Sequence, residues 1–134
     1  MQYILAAHGK YAIATKNSCE MITGVHENLH AIAFTVSMGT DDVKNQYEQI
    51  IEQHPDDEIT IIVDILGGTP CNAAIIASEK YKNITIVSGL SLALVIPLSL
   101  GETLDLSITG MIETTKILTT ENDSQQNDQG EEDD

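Results

Sequence analysis

The sequence predicts a single α/β domain: an open, mainly parallel sheet with helices packed on it. Three observations carry this expectation. Short apolar runs recur along the chain and alternate with segments whose apolar residues have helical spacing. The strongest run, EITIIVDIL at residues 58–66, is apolar at nearly every position, as a central strand covered on both faces must be. It leads straight into GGTP, residues 67–70, a glycine turn that opens the next helix.

The elements follow in order. QYILAA, residues 2–7, reads as a short buried strand. From Lys10 to about Ile22 the spacing of Ile13, Ala14, Met21 and Ile22 predicts a helix ended by Gly24. LHAIAFTV, residues 29–36, alternates and reads as the second strand. Thr40-Asp41-Asp42 can cap a second helix, which runs through Val43, Tyr47, Ile50 and Ile51 to Gln53 before Pro55. After the third strand, Thr69 is expected as the N-cap and Pro70 as the first helical residue of a helix over 70–80. NITIVSG, residues 83–89, is the fourth strand, followed by helices from Ser91 to about Leu100 and from Glu102 to about Glu113. TTKILTT, residues 114–120, is rich in β-branched side chains and predicts a final strand.

Composition narrows the functions open to such a domain. The net charge is −15, and all six basic residues are lysines. Nucleic-acid binding needs clustered cations to neutralise phosphates, and anionic membranes need the same, so both are disfavoured. Seven acidic side chains fall in the last fourteen residues, ENDSQQNDQGEEDD, and without them residues 1–120 carry −8. That segment has nothing apolar to bury, so a disordered acidic tail is expected at 121–134 and the folded domain at 1–120. The chain opens MQYILAAHGK with no signal-peptide pattern, and no apolar run approaches the roughly 20 residues of a membrane span. Cys19 and Cys71 form neither a metal motif nor a disulfide framework. A cytoplasmic protein is expected.

In open α/β sheets ligands bind beyond the carboxyl ends of the strands, where strand order reverses. The first strand delivers His8 to that edge, and the third delivers Asp64. With strand order 2-1-3-4 the two tips are neighbours. A carboxylate accepting the N–H of one imidazole nitrogen fixes the tautomer and leaves the other as a nucleophile. Gly67 and Gly68 let backbone N–H groups approach a ligand, and with Thr69 they form a helix N-terminus suited to an anion such as phosphate. No Walker lysine or acidic magnesium cluster accompanies them. This combination fits a chain that carries a phosphoryl group on histidine better than one that binds a nucleotide. The plain alternative is a hydrogen-bonded histidine at a strand end, with Asp64 and Thr69 serving as turn and capping residues.

These residues resemble a known family. The strand and turn ending AAHGKYA, the helix end EMITG at 20–24, the block IIVDILGGTPCNAA at 61–74 and, more loosely, SGLSLALVIPL at 88–98 are similar to the IIA component of the mannose/fructose/sorbose family of the bacterial phosphoenolpyruvate-dependent sugar phosphotransferase system. The likeness covers about residues 1–120. It implies that His8 is phosphorylated by the carrier HPr and passes the group to a IIB component, which serves the membrane IIC and IID components. It implies Asp64 as the carboxylate that orients His8, Gly67, Gly68 and Thr69 as phosphate contacts, and no metal or organic cofactor. It also implies a homodimer in which the C-terminal strand, antiparallel at the sheet edge, is exchanged between subunits.

The sequence departs from the family pattern at two places. Ala7 stands where a small hydroxyl residue often precedes the histidine, and Ser91-Leu92-Ala93 replaces an Asn-hydrophobic-Pro segment. The phosphocarrier subunit of dihydroxyacetone kinase shares fold and histidine, but usually carries a Gly-Ser-Ala type turn after the aspartate. A receiver-like signalling domain would need an acidic pair after the first strand, where this chain has Ala6-Ala7-His8. A flavin-binding module would want aromatics to sandwich the ring, and the chain has four tyrosines, one phenylalanine and no tryptophan. No IIB sequence follows, so a separate subunit is expected. His26 and His30 straddle a loop and a strand, where solvated or strand-face histidines are expected rather than metal ligands. His54 suits a helix C-terminus, and Cys71 a small buried position.

Overall fold

A computed structural model describes residues 1–120 of the chain. The elements are β1 (Gln2–His8), α1 (Tyr11–Thr23), β2 (Leu29–Phe34), α2 (Thr40–Gln53), β3 (Ile59–Val63), α3 (Thr69–Lys80), β4 (Ile84–Ser88), α4 (Leu92–Ser99) and α5 (Leu104–Thr114). The four strands form one parallel sheet in the order β2-β1-β3-β4. The chain therefore winds one way from β1 to β2 and the other way from β2 across β1 to β3. Because parallel crossovers are right-handed, that reversal puts α1 on one face and α2 and α3 on the other.

Alternation along the strands builds two cores. Ile4 and Ala6 of β1 join Ile59, Ile61 and Val63 of β3 under α2 and α3, with Val43, Tyr47, Ile51, Ala73, Ala74 and Ala77 closing the layer. Tyr3, Leu5 and Ala7 point to the opposite face and meet Ala12 and Cys19 of α1 and Leu94, Val95 and Leu98 of α4. Every residue of β3 is buried, as the continuous apolar run requires. Helix α2 starts with Asp42 Oδ2 accepting the Gly39 N–H at 2.8 Å, so the aspartate the sequence offered as a cap acts from inside the first turn. The deep phenol of Tyr47 donates to the Pro70 carbonyl at 2.8 Å, and burial, helped by Cys71 and Asp64, pushes its own pKa up. That bond ties α2 to the first turn of α3.

Three expectations need correction. Ile13, Ala14, Met21 and Ile22 lie on the exposed side of α1; the buried face is Ala12, Thr15 and Cys19. Small side chains let this helix approach the sheet, and the Thr15 hydroxyl is satisfied by the Tyr11 carbonyl at 2.7 Å. Strand β2 stops at Phe34, leaving Thr35 and Val36 outside the ladder. Gly68, not Thr69, is the N-cap of α3, so Thr69 and Pro70 are its first two residues. Among the described residues, 115–119 join no ladder, and Ile117 and Leu118 are exposed; the expected exchange of this strand concerns a second subunit. A strand exists only with a partner for its backbone groups, and β-branched composition cannot supply one. The expected tail at 121–134 lies outside the described residues.

His26 and His30 are not brought together: His26 meets the Thr23 hydroxyl at 2.7 Å and His30 the Gln2 amide oxygen at 2.9 Å. His54 caps the end of α2, and both cysteines are free and buried. No helix among the described residues is long and apolar enough to cross a membrane.

Candidate functional site at the carboxyl edge of the sheet

Strands β1 and β3 end side by side at the switch point, and their last residues build the site. His8 Nδ1 lies 2.7 Å from Asp64 Oδ2, and the same oxygen accepts the His8 backbone N–H at 3.0 Å. Asp64 Oδ1 accepts the N–H of Ile65 at 3.0 Å. Three N–H donors thus converge on one carboxylate. Partial burial pushes the Asp64 pKa up, but the hydrogen bonds from His8 and Ile65 outweigh it and hold the carboxyl below its ordinary value. The Asp64 side chain is 13% exposed, whereas that of His8 is 47% exposed. The acid is set into the fold and the imidazole looks out of it.

With Asp64 on Nδ1, the proton sits there and Nε2 keeps its lone pair. That nitrogen faces the turn after β3. A Cβ placed on Gly68 would fall 2.8 Å from His8 Cε1 and 3.5 Å from Nε2, so only glycine leaves the imidazole in place. Gly68 is there for space, since its φ of −80° suits any residue. Gly67 is there for conformation, at φ +78°. Its carbonyl accepts from Asn72 Nδ2 at 3.2 Å, which braces the turn against α3. The N–H groups of Gly67, Gly68 and Thr69 have no protein acceptor among the described residues. They gather at a helix N-terminus close to the imidazole, an arrangement that can hold an anion.

The rest of the edge is pinned. Gly89 N–H donates to the Asp64 carbonyl at 3.3 Å and Leu90 N–H to that of Val63 at 3.0 Å. Tyr11, at the start of α1, donates its phenol to the Leu90 carbonyl at 2.8 Å. On the β2 side, Gly9, Lys10, Phe34, Thr35 and Val36 join His8 in bordering an open, largely apolar hollow of about 390 Å³. Ser91, one of the departures from the family pattern, caps α4 by accepting the Leu94 N–H at 3.2 Å. Ala7, the other, is fully buried.

Sequence reasoning named His8, Asp64 and the 67–69 turn, and the structure brings all of them to one place. It gave no site role to Tyr47, Tyr11, Asn72 or Phe34. Tyr47 reads as a helix-face residue, because a phenol that reaches a distant carbonyl leaves no periodic signal. Gly68→Ala is expected to lower stability by about 1 kcal/mol, the usual cost of alanine at an N-cap. It should also swing the imidazole off Asp64. The Nδ1–H proton resonance would be lost in the variant, and its persistence would show that the ring tolerates the methyl group.

The fold and site together define a doubly wound α/β domain with an outward-facing imidazole and an anion-receptive turn at its switch point. The chain belongs to the family described as PTS system fructose IIA component, whose model matches residues 2–116. It is 35% identical over 105 residues to the fructose-specific EIIA component of the phosphotransferase system of Bacillus subtilis (strain 168), covering 77% of this chain and 72% of that one. It is 36% identical over 95 residues to the sorbose-specific EIIA component of Klebsiella pneumoniae, covering 71% and 70%. Among solved structures, the mannose/sorbose-specific IIA subunit from Enterococcus faecalis superposes with a TM-score of 0.81 at 23% identity, over 88% of this chain and 94% of that one. The last is a likeness of fold. The chain is thus a IIA component of the mannose/sorbose group of the sugar phosphotransferase system.

Proposed function

We propose that this chain carries a phosphoryl group on His8 Nε2, taking it from phospho-HPr and passing it to a IIB component during sugar uptake. The observation that carries the reading is the 2.7 Å contact between His8 Nδ1 and Asp64, which leaves Nε2 as the free nitrogen beside an N–H-lined turn.

In the forward step the Nε2 lone pair attacks phosphorus. A P–N bond forms, the bond to the donor histidine breaks, and that nitrogen leaves with the electron pair. Nδ1 keeps its proton, so positive charge develops on the ring, and Asp64 offsets it. The N–H groups of Gly67, Gly68 and Thr69 and the Thr69 hydroxyl receive the phosphoryl oxygens. Transfer to IIB is the same step in reverse. A reaction between two histidines needs alignment and charge stabilisation more than new covalent chemistry, and fixed N–H groups and a fixed carboxylate supply both. Asp64 is poorly placed to be the acceptor itself, because both of its oxygens already hold hydrogen bonds. This favours the histidine carrier over a receiver-like aspartate.

In this reading the subunit works in the cytoplasm, associated with the membrane components through its partners. The open edge of β4 and the exposed apolar pair Ile117 and Leu118 suit a homodimer that exchanges residues 114–120. Sugar choice rests with IIB and the membrane components, which contact the sugar.

The test is intact-mass measurement after incubation with phosphoenolpyruvate, enzyme I and HPr, followed by addition of IIB. A gain of one phosphoryl group, discharged when IIB is added, is the expected result. No gain under conditions that fully phosphorylate HPr would overturn the assignment.

A further inference from the structure

We infer that Phe34 is a positioning residue for His8: its ring stands as a perpendicular wall that keeps Nδ1 on Asp64 and Nε2 toward the turn. Phe34 is the last residue of β2 and pairs in register with His8. The two ring centroids are 5.4 Å apart and the planes are 82° to one another, an edge-to-face contact. The backbone fixes that juxtaposition, since the Gly9 N–H donates to the Phe34 carbonyl at 2.8 Å. Phe34 itself packs against the core formed by Ile32, Val43 and their neighbours, so the wall is anchored from behind.

A wall is needed because the hydrogen bond alone does not exhaust the freedom of the ring. Rotation about the terminal torsion of histidine is soft and roughly two-fold. His8 is half-exposed, and water can compete for its nitrogens. Asp64 holds one ring nitrogen, and Gly68 stands close to the far edge. Phe34 adds a third contact on the imidazole, with its ring perpendicular to it. It also lines the apolar hollow beside His8.

The inference rests on the carrier reading only for its rate measurement; the tautomer measurement stands apart from it. Wild type, Phe34→Leu and Phe34→Tyr, with ring-nitrogen-labelled histidine, are compared by two-bond nitrogen–proton correlation spectra above the histidine titration range. Phosphoryl uptake from phospho-HPr is timed in parallel. Wild type and Phe34→Tyr should show His8 as the Nδ1–H tautomer alone. Phe34→Leu should show a mixture of tautomers, with kcat for uptake reduced about tenfold and KM unchanged, since sub-ångström misplacement of a reacting group costs rate before it costs binding. An unaltered tautomer in Phe34→Leu would overturn the inference. So would a rise in KM alone, which would make Phe34 a docking contact. If leucine disturbs the backbone amide spectrum, Phe34→Met takes its place. Tautomers that behave as expected in a wild type that takes up no phosphoryl group would support the positioning role and sink the carrier reading.

Discussion

Replacing His8 with alanine is expected to abolish phosphoryl uptake while leaving the chain folded. The structural cost is small because His8 sits at a strand tip with almost half of its side chain in solvent. Its backbone N–H still reaches Asp64, and the Gly9–Phe34 bond is unaffected. The register of β1 is held by the buried run Tyr3–Ala7. What goes is one hydrogen bond to a carboxylate, worth at most about 1.5–3 kcal/mol when dry and less at a wet edge. The functional loss should exceed about a thousandfold, because removing a nucleophile leaves only binding and alignment behind. Cys71, in the first turn of α3, is buried. Intact mass after incubation with phosphoenolpyruvate, enzyme I and HPr checks this directly. Normal labelling of His8→Ala would move the acceptor elsewhere. Hydroxylamine would then show whether it had moved to Asp64, since it cleaves acyl phosphates in preference to phosphohistidine.

Much of this edge was legible in the sequence, and the reason lies in backbone chemistry. The apolar run at 58–66 marks β3 as a strand covered on both faces, but not where it ends: the strand stops at Val63, and Ile65 and Leu66 beyond Asp64 are exposed. Glycine pairs are rare inside elements, so Gly67-Gly68 marked a turn, and Thr-Pro marked the start of α3. Alternation of elements implied a parallel sheet, while the order 2-1-3-4 that makes the tips of β1 and β3 neighbours entered as a condition and is the order found.

What escaped was decided by side chains meeting across the fold. The buried face of α1 follows from which small residues touch the sheet, and its larger apolar residues, Ile13, Met21 and Ile22, are exposed. Thr69 looked like the cap because hydroxyl residues favour that position, but the imidazole of His8 leaves room there only for Gly68. The chain puts the residue that fits the site at the N-cap and moves the hydroxyl one place into the helix, beside the free N–H groups. Local preference gave way to site geometry at one residue. Such conflicts are expected where a fold is shaped by its chemistry. Residues 114–120 carry strand propensity, but strand formation depends on a partner that propensity does not describe, and the expected partner is a second subunit.

Asp64→Asn separates the roles of tautomer control and charge. Three N–H groups point at this side chain: the backbone N–H and Nδ1–H of His8 at Oδ2, and the Ile65 N–H at Oδ1. An amide has one acceptor oxygen and two donor hydrogens, so it cannot satisfy both sets. If its oxygen keeps His8, its NH₂ confronts Ile65; if it turns round, the imidazole loses its partner. Either orientation removes the negative charge that offsets the cation developing on the ring. Uptake from phospho-HPr should therefore fall about a hundredfold or more, comparable to the loss of one preorganised electrostatic contact in a transition state. The fold should survive with about 1–3 kcal/mol less stability at neutral pH. The sign of the pH dependence follows from the lowered pKa of Asp64 in the fold. A depressed carboxylate contributes stability that is fully present above the ordinary value of 3.8 and is lost as pH falls through the folded one. The stability gap between wild type and Asp64→Asn, measured by chemical denaturation, should then close as the pH is taken from 7 towards 2, while the gap in transfer rate at neutral pH remains. A gap that stays constant into acid would mean that the carboxylate is not held by its three N–H donors. Equal transfer rates would mean that His8 finds its tautomer without it.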